Sequence, residues 1–140
     1  MGVAGAAAEP PPDDASVNDD LVLFRRVPPA HTRWTPDGPE IRDGLFKNFP
    51  NPELLRMSVV LEDTLREDDR SPETIVAAYP LFGVAAITAA AVRAEQQGVV
   101  RSRTEEEPAH GDVCGEKPTS RRIRLAEQAW WVVEPPRGPS

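Results

Sequence analysis

A run of eight residues near the C-terminus, Lys117 to Arg124, holds four cationic side chains. Pro118 and the two hydroxyl residues after it are types that begin helices, so the run predicts a helix whose first turns are crowded with positive charge. Because the helix macrodipole disfavours cations at that end, a bound phosphate, nucleotide or partner carboxylate would relieve the conflict. The residues of this candidate anion or partner site are Lys117, Thr119, Ser120, Arg121, Arg122 and Arg124.

The same run can instead be an ordinary solvated surface. Its arginines would then pair with the acidic segment Glu105-Glu106-Glu107 or with the acidic N-terminus. The two interpretations differ in one testable respect, which is whether carboxylates of the same chain already compensate the cations.

A second group of candidate residues is dispersed along the chain: Arg25, Arg26, Ser58 and His110. A strand arginine can grip a phosphate, and a histidine can act as a general base or hydrogen-bond donor. A strand arginine, a serine-bearing second strand and a late glutamate resemble the ADP-ribosyltransferase layout, which implies an enzyme that binds NAD or another nucleotide. No Ser-Thr-Ser run surrounds Ser58, however. In the structural alternative, Arg25 or Arg26 pairs with a carboxylate such as Glu62 and fixes strand register.

Metal chemistry has few candidate ligands in this sequence. His110 and Cys114 would share a strand face, with Asp112 as the one obvious third ligand, whereas a zinc site needs three or four. We therefore expect no metal and no other cofactor. Cys114 has no basic neighbour to stabilise a thiolate, so we expect a buried apolar residue. A single cysteine cannot form an internal disulfide, which favours a reducing, cytoplasmic location.

The segment 30–52 is rich in turn-forming proline, glycine and asparagine, and it also contains three aromatic residues. A loop of this length with aromatic anchors is expected to pack on the core and to contribute to an interface. The three residues of this candidate interface loop are Trp34, Phe46 and Phe49.

The elements that must position these residues follow from hydrophobic patterning. Strands are predicted over Leu21–Val27, Met57–Leu61 and Val84–Thr88, followed by a hairpin of Val99–Arg103 with His110–Cys114. Helices are predicted over 72–79 and 89–97 and from residue 118 onward, the last docking through Ile123, Ala126 and Trp130. Alternation along the first strand places one of its two arginines inward. The pattern indicates an α+β fold with a mostly antiparallel sheet and two or three helices.

Length, composition and charge restrict the remaining possibilities. The 140 residues fit a single domain, predicted over 20–136, and residues 1–19 are so poor in large apolar side chains that a disordered acidic tail is expected. A net charge of −7 with a pI near 4.8 argues against duplex nucleic acid. The longest apolar stretch, Ile75–Val92, contains Pro80 and Gly83, so no membrane span is expected.

The ordered chain as a whole also resembles short bacterial proteins with a shared layout and no assigned activity. That layout is carried here by Leu21–Pro29, Met57–Val59, Pro108–His110 and Arg121–Val132. The resemblance implies a bacterial origin and a one-domain fold. With no nucleotide loop, nucleophile elbow or paired-acid motif, we expect a non-enzymatic cytoplasmic interaction or regulatory protein that recognises an anionic partner, usually another protein. A phosphate-bearing small molecule bound by an enzyme of ADP-ribosyltransferase-like type is the alternative.

Overall fold

The computed structural model describes residues 10–137, and these form an α+β fold with a mostly antiparallel sheet. The strands are β1 Val22–Val27, β2 Thr32–Thr35, β3 Gly38–Ile41, β4 Pro50–Asn51, β5 Arg56–Leu61, β6 Gly83–Thr88, β7 Gly98–Arg101, β8 His110–Cys114 and β9 Trp130–Val133. The helices are α1 Glu62–Glu67, α2 Ala89–Arg93 and α3 Thr119–Gln128. The main sheet has the order β7-β8-β5-β1-β6-β9, and β4 also pairs with β5. Strands β2 and β3 form a separate hairpin.

Alternation along the strands gives the main sheet two apolar faces. The first face contains Leu23, Val27 and Met57 and is covered by α2 and by α3 through Leu125. The second face contains Phe24, Val60, Val84 and Ala86, and it is covered by Leu65 of α1 and by Ile75 of the 3-10 helix Pro72–Val76. On this second face, β5 and β8 also carry the polar side chains of Ser58, His110 and Asp112. The fold therefore places a polar strip beside a packed apolar region.

The structure departs from the predicted elements in several places. The segment 30–52, expected to be a loop, contains the β2–β3 hairpin and strand β4; the hairpin turns at Pro36 and Asp37, and Gly38, whose φ is +120°, begins β3. The highly charged segment after β5 forms α1, because Leu65 buries itself under the second face. The helix predicted over 72–79 is a shorter 3-10 helix.

The ordered part of the chain begins nearer the N-terminus than the sequence indicates. Val17 is 1% exposed and belongs to the core of the first face. The Asp14 N–H donates to the Val99 carbonyl at 2.8 Å, and the Val99 N–H donates to the Asp13 carboxylate at 2.9 Å. The expectation of a disordered tail therefore does not hold for residues 10–19, while residues 1–9 lie outside the described part. One buried valine and pairing with the edge of β7 hold the segment in place.

Of the three residues predicted to dock the last helix, only Ala126 packs against the core of the first face, and the main contact is made by Leu125. Leu125 is fully buried, whereas Ile123 is 46% exposed. Trp130 does not continue the helix, because it begins β9, which pairs with β6. Among residues 10–137, every helix is too short or too polar to cross a bilayer.

Candidate functional site

Two of the predicted residues, Ser58 and His110, meet on the second face. Strands β5 and β8 are antiparallel neighbours in a register that pairs Val60 with His110 and Ser58 with Asp112. The hydroxyl oxygen of Ser58 lies 3.0 Å from Nε2 of His110. Both side chains are half-buried.

The other ring nitrogen of His110 has two possible partners on Ser102. Nδ1 lies 3.0 Å from the backbone carbonyl oxygen of Ser102 and 2.7 Å from its hydroxyl. In one tautomer the Ser102 hydroxyl donates to Nδ1, and Nε2 donates to the Ser58 oxygen. In the other tautomer the imidazole carries its proton on Nδ1 and donates it to the carbonyl, so Nε2 is an acceptor and the Ser58 hydroxyl donates to it. This is the arrangement of an activated hydroxyl next to its general base.

The loop between β7 and β8 holds the histidine in place. The Ser102 N–H donates to the carbonyl of His110 at 3.0 Å, and buried Ala109 donates its N–H to the Glu107 carboxylate at 3.2 Å. Arg70 donates two hydrogen bonds to the same carboxylate, at 2.6 and 2.9 Å, and these hydrogen bonds hold the pKa of Glu107 below its usual range. The imidazole therefore stands at the start of β8, next to an anchored loop.

Arg25 lies on the first face and supports Ser58 from behind. Pairing of β1 with β5 ends at Phe24 and Val60, and beyond this point the strands separate. Arg25 fills the gap, donating through Nη1 to the Ser58 carbonyl at 2.6 Å and through Nε to the Leu45 carbonyl at 2.8 Å. Burial lowers the pKa of Arg25 to about 10. Arg25 is thus the inward arginine that the alternation predicted, and its contacts are to backbone.

Arg26 projects from the second face, on the same side as the Ser58 hydroxyl. In the antiparallel pair of β1 and β5, Phe24 lies opposite Val60. Arg26 comes two residues after Phe24 and Ser58 comes two residues before Val60, so both side chains project from the same face. The guanidinium carbon of Arg26 stands 4.7 Å from the ring centroid of Tyr79. Within residues 10–137 no carboxylate comes within 4.0 Å of it. Arg26 is therefore an exposed cation, held by an aromatic ring, on the face that carries the Ser58–His110 pair.

An ion pair lies next to this group. Asp112, which is buried opposite Ser58, accepts a hydrogen bond from Arg56 at 3.3 Å. In the described part of the chain no three His, Cys, Asp or Glu side chains converge to hold a metal ion. Burial raises the pKa of the Cys114 thiol, as suits a residue that packs rather than reacts.

The cations around the start of α3 are largely engaged within the chain. Lys117 is buried, and its ammonium group donates to the Asn48 side chain and to the carbonyls of Val113 and Gly115, each carbonyl at 3.0 Å. Burial lowers the pKa of Lys117 to about 8. This residue supports the interior and does not face a ligand.

The arginines of α3 point to different neighbours. Arg122 donates to the Lys117 carbonyl at 2.7 Å, and its Nε lies 3.7 Å from the Asp43 carboxylate. Arg124 donates to Glu95 at 2.7 Å. A carboxylate of the same chain therefore compensates Arg124 closely and Arg122 at a longer distance, whereas the neighbours of Lys117 are an amide and two backbone carbonyls. Arg121, which donates to a backbone carbonyl at 3.2 Å, has no carboxylate partner in the described part. Thr119 and Ser120 do open the helix, as predicted.

The candidate interface loop divides between core and surface. Phe46 is 1% exposed and packs in the core of the first face, so its assignment to an interface is wrong. Phe49 is 66% exposed, and Trp34 is partly exposed with the Arg137 guanidinium 4.6 Å from its ring centroid.

A groove that the sequence analysis missed lies between the β2–β3 hairpin and α3. It has a volume of about 560 Å³. Trp130, 42% exposed, and Ile123 line it, together with Arg33 and Arg42. The Trp131 indole closes its base by donating to the Pro39 carbonyl at 2.9 Å. The sequence did not predict this groove, because one of its walls is the β2–β3 hairpin. The turn-rich composition of segment 30–52 predicted a loop there.

Comparison of the chain with protein-family models, with curated proteins and with solved structures finds no match. The chemistry of the site is therefore argued from its geometry.

Proposed function

We propose that this protein binds a phosphate-bearing small molecule of the nucleotide class on the second face of its sheet and acts on it as an enzyme. One observation carries the proposal, namely the hydrogen-bonded series from Ser58 through His110 to the Ser102 carbonyl. A serine, a histidine and an orienting acceptor in this order form the constellation that activates a hydroxyl or a substrate proton.

Arg26 supports the choice of an anionic ligand. Its guanidinium group has five N–H donors, and a phosphate accepts such donors in pairs. Stacking on Tyr79 restricts the side chain before a ligand arrives, which reduces the entropy cost of binding. The acidic chain, with a net charge of −7, favours a small phosphate ester over a nucleic acid duplex.

The proposal is tested by thermal unfolding of the full chain with NAD, nucleoside mono- and diphosphates and sugar phosphates. At a ligand concentration of about 100 times Kd, we expect Tm to rise by several degrees. Arg26→Gln and His110→Gln should lose the rise. Arg66→Gln should keep it, because Arg66 pairs only with Glu62 on the surface of α1. If no phosphate-bearing compound in the series raises Tm, the proposal is wrong.

A second candidate function is recognition of a protein partner in the cytoplasm, as an accessory or regulatory protein. The groove beside α3 favours it, because exposed tryptophan, isoleucine and arginine are residue types that dominate interfaces. Arg33 and Arg42 alternate there with Glu40, Asp43 and Glu127, so the lining suits a partner that carries charges of both signs. A partner retained by the wild-type protein should be lost with Ile123→Glu and with Trp130→Ala, and kept by Leu54→Ala, a truncation of an exposed leucine far from the groove. Equal retention by all variants would exclude the groove as the binding surface.

A further inference from the structure

We infer that Ser58 is the nucleophile of this site and that it forms a phosphoserine intermediate with a phosphate ester. The inference rests on the proposed function, because the ligand class is the same, but it assigns a covalent role to one oxygen atom. The alternative is a binding hydroxyl, with His110 acting directly on a water molecule or a substrate proton.

The geometry around His110 suits the nucleophile in the tautomer that is protonated on Nδ1. In that tautomer the imidazole donates to the Ser102 carbonyl, so Nε2, 3.0 Å from the Ser58 oxygen, is ready to accept the serine proton. After that transfer the imidazole is a cation with a donor at each nitrogen. The Ser102 carbonyl still accepts from Nδ1, so the same contact stabilises the charged form.

The nucleophile is also held still. Arg25 fixes the Ser58 carbonyl at 2.6 Å, and the Ser58 N–H donates to the Phe49 carbonyl at 3.2 Å. Its neighbour in β8, Asp112, would repel an anionic substrate if it were unpaired, but Arg56 contacts it at 3.3 Å. Arg26 is an exposed cation on this face, and we assign to it the contact with the phosphoryl oxygens as charge develops on them.

The reaction balances with these groups and water alone. The Ser58 oxygen attacks phosphorus, its proton passes to Nε2 of His110, and the bond from phosphorus to the leaving oxygen breaks. The imidazolium returns that proton to the leaving oxygen. A water molecule then attacks phosphorus while His110 takes one of its protons, and the serine–phosphorus bond breaks. The imidazolium gives that proton to the departing Ser58 oxygen, which restores the hydroxyl and releases phosphate.

The test uses diisopropyl fluorophosphate on the full wild-type chain, with intact mass and peptide mapping as the readout. We expect one adduct, on Ser58. His110→Gln should slow its formation by at least about 100-fold, the usual contribution of a general base. Ser120→Ala, which removes a serine at the start of α3, should label at the wild-type rate. Ser102→Ala retains the carbonyl and should slow labelling far less than His110→Gln.

Two results separate this inference from the proposed function. If phosphate-bearing ligands raise Tm but Ser58 stays unlabelled, or if several serines label equally, the nucleophile is refuted and the binding site stands. If Ser58 labels selectively but no phosphate-bearing ligand raises Tm, the nucleophile stands and the ligand class is wrong. Because the wild-type protein gives the primary readout, neither result depends on a variant that fails to fold.

Discussion

Shortening Val17 to alanine measures how firmly residues 10–19 belong to the fold. Val17 is 1% exposed, and it packs among core residues of the first face. Val17→Ala removes two methyl groups from this core, each worth about 0.8 kcal/mol in transfer free energy. The cavity left behind adds to the cost. We therefore expect the free energy of unfolding to fall by about 2 kcal/mol.

The assay is urea unfolding followed by tryptophan fluorescence and circular dichroism. With a slope m of about 2 kcal/mol/M for a chain of this size, the midpoint should fall by about 1 M with m unchanged. Leu54→Ala is the control, because it removes a larger but exposed side chain and should change the free energy of unfolding by less than about 0.5 kcal/mol. A Val17→Ala midpoint equal to that of wild type would show that the segment does not pack as described.

Three further predictions concern buried and paired charges. Arg25→Met removes the donor from two buried carbonyls and should cost about 2 kcal/mol or more of stability in urea unfolding, whereas Arg26→Met should change it little. The pKa of Lys117 falls from 10.5 to about 8 on folding, so between these two pH values the unfolded chain binds more protons than the folded chain. The free energy of unfolding should therefore rise with pH over this range. Urea midpoints measured across the same range should show no such rise for Lys117→Met. The lowered pKa of Glu107 makes a contribution that is present above pH 4.5 and lost as pH falls, so Arg70→Gln should flatten the acid limb of stability against pH.

Elements defined by local pattern were predictable from the sequence. The transition from β6 to α2 was expected at Thr88, because β-branched residues precede it and strong helix formers follow. The structure confirms it, with the Ala91 N–H donating to the Thr88 hydroxyl at 3.1 Å. The hairpin of β7 and β8 was also expected, from two short apolar runs around an acidic turn. In both cases residues close in sequence contain the whole signal.

Elements stabilised by distant contacts were not predictable in this way. The β2–β3 hairpin contains Pro39 within a strand and reads as a series of turns, but the Trp131 indole, 92 residues away, donates to the Pro39 carbonyl. Val17 alone could not order an acidic segment, yet Arg93 pairs with Asp13 and Asp19 across more than 70 residues. Local propensity does not report such partners.

The same distinction explains why the sequence indicates a candidate site at the start of α3, whereas the structure indicates one on the main sheet. A run of cations is visible in sequence, but the acids that neutralise it come from other elements, Asp43 before α3 and Glu95 after α2. For the Ser58–His110 pair the reverse holds, because two unremarkable residues become a site only through the register of β5 against β8. Ser102 completes it through a backbone carbonyl, which every residue type possesses and no sequence motif can mark. A charge cluster seen in sequence therefore does not show which of its members have partners, and a sheet register can bring together polar side chains that no motif marks.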